Sequence, residues 1–496
     1  MQKGASEIRF AFQHRYVDGL PGFYVECAPE AYPEPRLLQF NEALAEELGL
    51  ERFDDRVGAE IFSGSRLPDD ARPVAQAYAG HQFGGFVPQL GDGRALLLGE
   101  VRDRHGTLRD IAFKGSGPTP FSRGGDGKAA VGPVLREYLI GEAMYALGIP
   151  TTRALAAVST GEQVVRERPL PGAVLTRVAA SHIRVGTFEF FAARQRHDQV
   201  KKLADYAIAC HDPDLSESPD RYLQWLQHVV ERQASLVAKW MLVGFIHGVM
   251  NTDNMAVSGE TIDYGPCAFL EIYQPWTVFS SIDRAGRYAY RNQPTIARWN
   301  LARLAETLLP VINPDDPERA VDQANDVVSA FMERYQTQWL TGVRRKLGVL
   351  TAPSDGTDDE SLAADWLELL AQHKVDYTLA WRRLADAVES DQAAVVSLFP
   401  DADVVRPWLD RWRCRLSGQD LSTTAAAMRE VNPVYIPRNH LVEGALAAAS
   451  EGGDMSPFRQ LLEVVSRPYE ERVEWEPYAQ PAPAEFTACY KTFCGT

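Results

Sequence analysis

The chain has 496 residues, too many for one hydrophobic core, and its 45% hydrophobic and 24% charged residues are ordinary globular composition. Asp and Glu outnumber Lys and Arg by 67 to 51, so the net charge is −16. Such a surface repels nucleic acids and anionic lipids, which argues against partners of either kind and leaves any phosphate chemistry to a local basic pocket. No apolar stretch is long enough to span a membrane and the first residues lack a secretion signal, so we expect a cytoplasmic, bacterial protein.

The first half of the chain predicts an N-terminal extension followed by a small α+β lobe. Residues 1–85 are rich in proline and are predicted to form loops and short helices. Residues 95–101 (ALLLGEV) and 111–114 (IAFK) flank a polar turn, which indicates a β-hairpin. A helix is expected from Pro133, and three more strands follow it. Residues 86–190 are therefore expected to form one lobe of strands with a single helix.

The second half of the chain is predicted to be helical. Apolar residues recur at helical spacing from Tyr222 onwards, and another helical run begins near Pro294. These segments indicate a helical lobe at residues 191–350. The polar, acidic stretch 351–365 has the composition of a linker or exposed loop. Residues 351–496 as a whole are expected to form a helical C-terminal extension with a cysteine-bearing tail.

Two clusters in the helical half have the residue types of a metal and phosphate site. Residues 247–254 read HGVMNTDN, and Asp263 begins an Asp-Tyr-Gly sequence. Protein kinases carry H-R-D-x-x-x-x-N followed by D-F-G, and His247 and Asn254 have the same separation as the His and Asn of that motif. Because Mg²⁺ prefers oxygen ligands and takes few of them from protein, Asn254 and Asp263 are its predicted ligands, with Mn²⁺ as the alternative ion.

The base of the kinase motif is absent. The position two residues after His247 holds Val249, which cannot accept a proton, and the nearest carboxylate is that of Asp253. Two interpretations follow: an inactive kinase-like protein, or a chemistry rearranged around Asp253 as the base.

The lobe of strands contains the remaining kinase elements in kinase order. IAFK resembles the V-A-I-K strand, which makes Lys114 the candidate phosphate-binding lysine. Glu137 on the next helix is its expected partner, and Glu142 on the same helix is the alternative. Residues 89–101 resemble a glycine-rich hairpin, whose predicted nucleotide-binding residues are Gly91, Gly93 and Arg94.

Two further features are foreign to ordinary kinases. A glycine-rich insertion at residues 115–133 offers backbone amides that, with Asp126 and Gly127, can wrap a nucleotide. Arg177 and Arg184 follow near the junction of the predicted lobes, where their guanidinium groups suit terminal phosphates; ordinary surface ion pairs are the alternative. Extra cations at the inner end of a pocket indicate that the outer phosphates are held there and are not transferred.

Taken together, these segments resemble the selenoprotein O family, protein adenylyltransferases with a pseudokinase fold. The resemblance covers nearly the whole chain and implies an α+β, protein-kinase-like two-lobed fold with both extensions. It also implies transfer of AMP from ATP to Ser, Thr or Tyr hydroxyls of protein substrates. ATP would lie flipped relative to kinases, with its γ-phosphate buried and its α-phosphate facing the hydroxyl. The segments that carry the resemblance are YAGHQFGGFVPQLGDGRALLLGE, FKGSGPTPFSRGGDGKA, HGVMNTDNM, DYGPCAFLE, RYAYRNQPTIARWNLARLAE and NPVYIPRNHLVE.

The resemblance also implies a role for each candidate residue. Asp253 would be the catalytic base, Asn254 and Asp263 would bind Mg²⁺, and Glu137 would hold Lys114 in place. The residues implied to contact ATP are Gly91, Gly93, Arg94, Lys114, Asp126, Gly127, Arg177, Arg184 and Asp263.

A regulatory disulfide is a further implication of the resemblance. Bacterial members of the family link a tail cysteine to one just after the DYG motif, and the corresponding residues here are Cys494 and Cys267, with Cys489 as a competing partner. Cytosolic disulfides are usually redox sensors, so this pair is predicted to tie the tail reversibly over the segment that follows Asp263. Two other functions stay open at this point: a true kinase, and an inactive nucleotide-binding scaffold, which the loss of the base at Val249 favours.

Overall fold

The structure is a computed structural model, and it describes residues 8–350, 358–390 and 392–493. Its strands lie mostly in the first half of the chain. They are β1 (Tyr24–Glu26), β2 (Arg36–Phe40), β3 (Val74–Gln76), β4 (Gly80–Gln82), β5 (Gly85–Val87), β6 (Ala95–Arg102), β7 (Leu108–Lys114), β8 (Ala129–Ala130), β9 (Arg153–Val165), β10 (Pro169–Ala179), β11 (Phe245–Ile246) and β12 (Ala268–Phe269).

Helices dominate the second half. They are α1 (Arg15–Gly19), α2 (Glu42–Glu47), α3 (Asp55–Phe62), α4 (Val131–Ala146), α5 (Val185–Ala192), α6 (His197–His211), α7 (Arg221–Val243), α8 (Gln293–Ile312), α9 (Pro317–Ser329), α10 (Phe331–Lys346), α11 (Asp359–His373), α12 (Tyr377–Glu389), α13 (Ala393–Val396), α14 (Ala402–Arg415), α15 (Leu421–Arg429), α16 (Asn439–Gly452), α17 (Ser456–Val465), α18 (Glu476–Ala479) and α19 (Ala484–Cys489). Within the described ranges, none of these helices combines the length and apolar character that crossing a bilayer requires.

An antiparallel sheet of eight strands organises the first half. Its order is β1-β3-β6-β7-β10-β9-β2, with β8 paired to β10. The predicted hairpin is confirmed as β6 and β7, in which Ala95 lies opposite Lys114. The next neighbour, β10, places Arg177 opposite Ala112 of β7. This register brings two cations that are far apart in sequence onto adjacent strands.

The N-terminal extension takes part in this sheet, so the prediction of loops and short helices for residues 1–85 is incomplete. Strands β1 and β2 form its two ends, and β3 joins β1 to β6. These strands have only three to five residues. Their pairing is long-range, for example between Leu37 and Val158. Segments this short contain too few residues to show the alternation of apolar and polar side chains that identifies a strand in a sequence.

Helix α4 packs against β9 and β10 and begins at Val131, two residues before the predicted start at Pro133. The helical stripe predicted from Tyr222 is confirmed as α7, whose apolar residues belong to the main core. Helix α8 confirms the run near Pro294.

The predicted acidic linker is wrong from Asp359 onwards. Residues 351–357 lie outside the described part, but α11 begins at Asp359. The acidic residues there cap the helix, since the Asp358 carboxylate accepts from the amides of Glu360 and Ser361. Leu362 and Trp366 are buried on its inner face. The polar composition is therefore a helix start and not a loop.

Candidate active site

A cavity of about 480 Å³ lies against the β6–β7 hairpin, the glycine-rich insertion and the loop after β11. Its volume is in the range typical of sites for small ligands. The structure brings ten of the sequence-predicted residues to its wall. These are Gly91, Gly93, Arg94, Lys114, Asp126, Gly127, Arg184, Asp253, Asn254 and Asp263.

Asp263 is the centre of the polar contacts in this cavity. Its Oδ1 accepts from Lys114 Nζ at 2.7 Å and from an Arg177 guanidinium N–H at 2.8 Å, and its Oδ2 accepts from Arg184 at 2.6 Å. Burial alone would raise the pKa of Asp263, but the charges of Lys114, Arg184 and Arg177 outweigh burial and hold the pKa well below its usual range. The carboxylate is therefore ionised at any physiological pH and gathers three cations.

The backbone at Asp263 has a φ of 64°, in the left-handed region that non-glycine residues seldom adopt. Such conformations cost about 1–3 kcal/mol and persist where the surroundings hold them. Here the three cations keep Asp263 in this backbone conformation, because they bind both oxygens of its carboxylate.

Lys114 is paired with Glu137 and not with Glu142. The distance from Lys114 Nζ to Glu137 Oε2 is 2.5 Å. Glu142 instead accepts from Arg153 at 2.6 and 2.7 Å and from Asn41 at 2.8 Å. The structure thus decides between the two candidates left open by sequence.

Arg177 does not line the cavity. It is 2% exposed and reaches both Asp263 and Glu137 from the protein interior, with Nε donating to the ring of His182 at 3.2 Å. Burial first, and then the charges of Arg177 and Arg184, lower the pKa of His182 well below its ordinary value, so this ring is neutral and can accept that hydrogen bond. Arg177 therefore supports the site from behind the wall.

Asp253 is buried at the edge of the cavity, close to the β4–β5 hairpin. Its Oδ2 accepts from Gln82 Nε2 at 3.3 Å, whereas its Oδ1 is buried without a hydrogen-bond partner. Loss of solvation raises the pKa of Asp253 to about 6. A carboxylate with a free acceptor atom and a pKa near neutrality has the properties of a general base.

Close backbone approach fixes the position of Asp253. A Cβ at Gly186 would lie 2.1 Å from the Ala79 carbonyl oxygen and 3.4 Å from Asp253 Cα, and one at Gly80 would lie 2.5 Å from Asp253 Oδ1. Only glycine leaves room for this packing at the two positions.

The loop of residues 247–254 is held by its own polar groups. The His247 ring donates from Nε2 to the Ile262 carbonyl at 2.9 Å, which ties the loop to the chain just before Asp263. Asn254 Nδ2 donates to the Val249 carbonyl at 2.9 Å, leaving its amide oxygen for another partner. Val249 itself lines the cavity.

The glycine-rich insertion folds over the β6 end of the cavity. Gly127 has a φ of 66°, and a Cβ there would lie 2.1 Å from the Gly117 carbonyl oxygen, so the loop closes only with glycine. The carboxylate of Asp126 accepts from Arg166 at 2.7 and 3.2 Å. Sequence reasoning missed Arg166 and Gln82, both of which line the cavity. Gln82 lies in the segment YAGHQFGGF, which carries part of the family resemblance but suggested no role for this residue.

The residues fit a magnesium ion of the kind that draws few ligands from protein. The Asn254 amide oxygen and the Asp263 carboxylate are hard oxygen donors that line one cavity, and Asn254 uses only its Nδ2 in a hydrogen bond to the protein. Among the described residues, no group of three or more His, Cys, Asp or Glu side chains forms a metal cage. Such an ion would therefore take its other ligands from phosphates and water.

Of the predicted redox pair of Cys267 and Cys494, the structure describes Cys267. Cys267 is fully buried, and burial raises the pKa of its thiol to about 12. Cys494 lies outside the described residues, so its pairing stays a prediction. The tail just before it contacts the segment at Cys267, because Thr492 Oγ1 donates to the Pro266 carbonyl at 2.7 Å. Cys489 is exposed at the end of α19.

Comparison with known proteins gives a consistent result. The family model described as "Protein adenylyltransferase SelO" matches residues 7–466. Relatives named "Protein nucleotidyltransferase YdiU" are similar over their full or nearly full length. The one from Chromobacterium violaceum is 60% identical over 481 residues, covering 96% of this chain and 100% of the relative. Those from Cereibacter sphaeroides and Rhizobium etli are 60% and 56% identical, covering 99% and 100% of this chain and 100% and 99% of the relatives.

Proposed function

The chain belongs to the SelO family of protein adenylyltransferases, and from that premise we propose that its cavity binds ATP and transfers AMP to a hydroxyl group of a protein substrate. The observation that carries the proposal is the convergence of Lys114, Arg177 and Arg184 on Asp263, next to a second carboxylate, Asp253, that has a free acceptor atom. Three cations in one corner suit the charge of a triphosphate.

The proposed architecture is a kinase-like fold of two lobes, at residues 86–190 and 191–350, with extensions at 1–85 and 351–496. A kinase uses three such elements around ATP: the hairpin β6–β7, the pair of Lys114 on β7 with Glu137 on α4, and the loop that precedes Asp263. The cavity is lined by Gly93 and Lys114 of the first proposed lobe and by Asn254 and Asp263 of the second. The nucleotide would lie between these two groups of residues.

ATP is proposed to bind with its γ-phosphate at the inner end, near Lys114 and Arg184. Both of these cations are almost buried, at 14% and 3% side-chain exposure, so a terminal phosphate held there is shielded from an incoming hydroxyl. Asp253 lies at the hairpin edge, where the α-phosphate would face the substrate. Val249 then needs no carboxylate, because a base at that position would serve the wrong phosphate.

In the proposed reaction, Asp253 removes the proton from a Ser, Thr or Tyr hydroxyl as its oxygen attacks the α-phosphorus. A new oxygen–phosphorus bond forms, the bond between the α-phosphorus and the bridging oxygen breaks, and pyrophosphate leaves with both electrons of that bond. Lys114 and Arg184 stabilise the charge that accumulates on the leaving group, while Arg177 holds Asp263 from the interior. A positioned base of this kind contributes about 10²–10⁴-fold.

Asn254 and Asp263 are proposed to hold Mg²⁺ or Mn²⁺. When bound, the ion neutralises charge on the phosphates. Of the three cations around Asp263, Lys114 and Arg184 line the cavity and would also reach phosphate oxygens, whereas Arg177 would stay behind the wall. The low pKa of Asp263 keeps its carboxylate ionised.

A reversible disulfide between Cys267 and Cys494 is proposed as a redox control of the site. In support, the tail is already docked at this segment through Thr492, Pro266 and Ser281. The raised pKa of the buried Cys267 thiol makes its oxidation slow unless the tail moves or a strong oxidant is present. Peptide mapping under non-reducing conditions tests the pairing, and free thiols in oxidised protein whose activity ignores reductant would refute it.

The decisive test of the function uses ATP labelled at the α- or the γ-phosphate with a mixture of acceptor proteins. Label retained on protein only from the α-position is expected, and Asp263→Ala should abolish it. Label only from the γ-position would identify a kinase, and no label from either would identify an inactive scaffold. Transfer that persists in Asp263→Ala would refute the assigned metal and phosphate site.

A further inference from the structure

The β4–β5 hairpin contains features that AMP transfer by itself does not explain. The amides of His81 and Phe83 donate to Thr252 Oγ1 at 2.7 Å and to Asn251 Oδ1 at 3.1 Å, both in the loop that carries Asp253. Phe83 also lines the nucleotide cavity. The hairpin is therefore anchored beside Asp253, the proposed base.

Large apolar side chains are exposed on and near this hairpin. Phe83 is 39% exposed, Phe86 40% and Ile282 51%, and Ile282 also lines the cavity. Phe83 has a φ of 52°, which is costly for a bulky residue and would suit glycine or asparagine better. An exposed phenylalanine kept in a strained conformation next to an active site indicates a surface that contacts a partner.

A cation without a carboxylate partner lies at the tip of the hairpin. The Arg287 guanidinium carbon is 4.8 Å from the ring centroid of Trp299, and a Cβ at Gly84 would lie 3.6 Å from it. Within the described ranges Arg287 has no ion pair, and its Nε is buried without a hydrogen-bond partner. The nearby Asp283 accepts from the backbone amides of Arg287 and Tyr288 instead of from the guanidinium.

Arg303 provides an internal comparison. It is 5.0 Å from the same Trp299 ring centroid, but it is paired with Glu306 at 2.6 Å. Both arginines have an Nε that is buried without a hydrogen-bond partner, so among the described residues they differ in the ion pair, which Arg303 makes and Arg287 lacks.

We propose that Phe83, Phe86, Arg287 and Trp299, here called the acceptor platform, bind the polypeptide segment that carries the acceptor hydroxyl, and that Arg287 pairs with an acidic side chain of that segment. The inference rests on the proposed function, which requires a protein segment at Asp253. Continuity with the cavity through Phe83 and charge complementarity at Arg287 both favour this occupant. The protein as a whole has a net charge of −16 and would repel an acidic peptide, so a preference for one must arise locally.

The platform is tested with two fluorescein-labelled peptides, each with a central serine flanked by glutamates or by lysines. Their binding to the full-length protein is measured by fluorescence anisotropy without nucleotide. The glutamate peptide should bind more tightly, and Arg287→Gln should weaken it about tenfold, because a charge-assisted hydrogen bond is lost. Arg303→Gln is the matched control and should change binding less than about twofold, and Arg287→Glu should reverse the preference for the glutamate peptide.

Separate readouts distinguish failure of the platform from failure of AMP transfer, which is followed with α-labelled ATP. Equal binding of the glutamate and lysine peptides would overturn the platform even where AMP transfer succeeds. So would an equal loss of affinity for the glutamate peptide in Arg287→Gln and Arg303→Gln. Intact peptide preference without any α-label transfer would support the platform and overturn the proposed function. A raised KM for ATP in Arg287→Gln with unchanged peptide binding would place Arg287 on the nucleotide and also overturn the platform.

Discussion

Replacing Gly80 by alanine tests whether the position of Asp253 controls the reaction. Gly80 begins β4, and its φ is outside the left-handed region, so alanine brings no backbone strain. The new Cβ would lie 2.5 Å from Asp253 Oδ1 and 3.0 Å from its Cβ and Cγ. The substitution therefore pushes on the carboxylate without altering its chemistry.

The size of the effect follows from these distances. An ordinary contact begins at 3.4 Å, so the carboxylate and the hairpin have to separate by about 0.9 Å. Misplacement of a catalytic group by about 1 Å can cost about 10²-fold in rate. We expect kcat to fall by about that factor, within the range of 10²–10⁴ expected for Asp253→Asn, while the KM for ATP stays within about twofold.

The assay is transfer of α-label from ATP to protein under single-turnover and steady-state conditions. Gly85→Ala in the same hairpin is the matched control, because its Cβ would meet nothing closer than 3.5 Å and its φ is also ordinary. It should keep nearly full kcat. If Gly80→Ala retains more than half of the wild-type kcat, or loses ATP binding instead, Asp253 is not a base whose position matters.

Three further predictions concern stability and the glycine-rich insertion. Burial lowers the pKa of Lys346 to about 7, so between pH 7 and 10 this side chain keeps a proton in the unfolded chain that it lacks in the folded one; the free energy of unfolding of the wild type should therefore rise relative to that of Lys346→Met by about 1 kcal/mol per pH unit. Arg438 is fully buried between the carboxylates of Glu271 and Asp376, so Arg438→Met should lower the free energy of unfolding by about 3–5 kcal/mol in urea titrations. Gly127→Ala should weaken ATP binding at least tenfold in calorimetry, because its Cβ would collide with the Gly117 carbonyl.

Each of these predictions has a result that contradicts it. A difference in unfolding free energy between the wild type and Lys346→Met that is flat from pH 7.5 to 9.5 would mean that Lys346 is not desolvated as its position implies. Unchanged stability in Arg438→Met would mean that the two carboxylates find other partners. For the loop, Gly124→Ala is the control, since it has a φ of 84° but open space around its Cβ; equal losses in both variants would point to backbone strain and not to the collision.

Much of the site was predictable because its parts are local. The β6–β7 hairpin, helix α7 and the spacing of His247, Asn254 and Asp263 each depend on a few neighbouring residues, and periodicity or motif spacing reports such features directly. Family membership, expected from the quoted segments, is confirmed by the match over residues 7–466.

Other features required the folded chain. An acidic, polar stretch such as the start of α11 is compatible with a linker and with a helix cap. Only the burial of Trp366 on the inner face of the helix decides between the two. The strands of the N-terminal extension are too short to be predicted from the sequence, because they form by pairing with strands far along the chain.

The sequence by itself determined the family, the kind of chemistry and ten of the residues that line the cavity, because these depend on residue types at short separations. Only the tertiary structure decided that Lys114 pairs with Glu137, that Arg177 supports Asp263 from the interior, and that Gly80 packs on Asp253. Those are distances of a few ångströms between residues 23 to 173 positions apart, set by strand register and helix packing, and no local pattern encodes them.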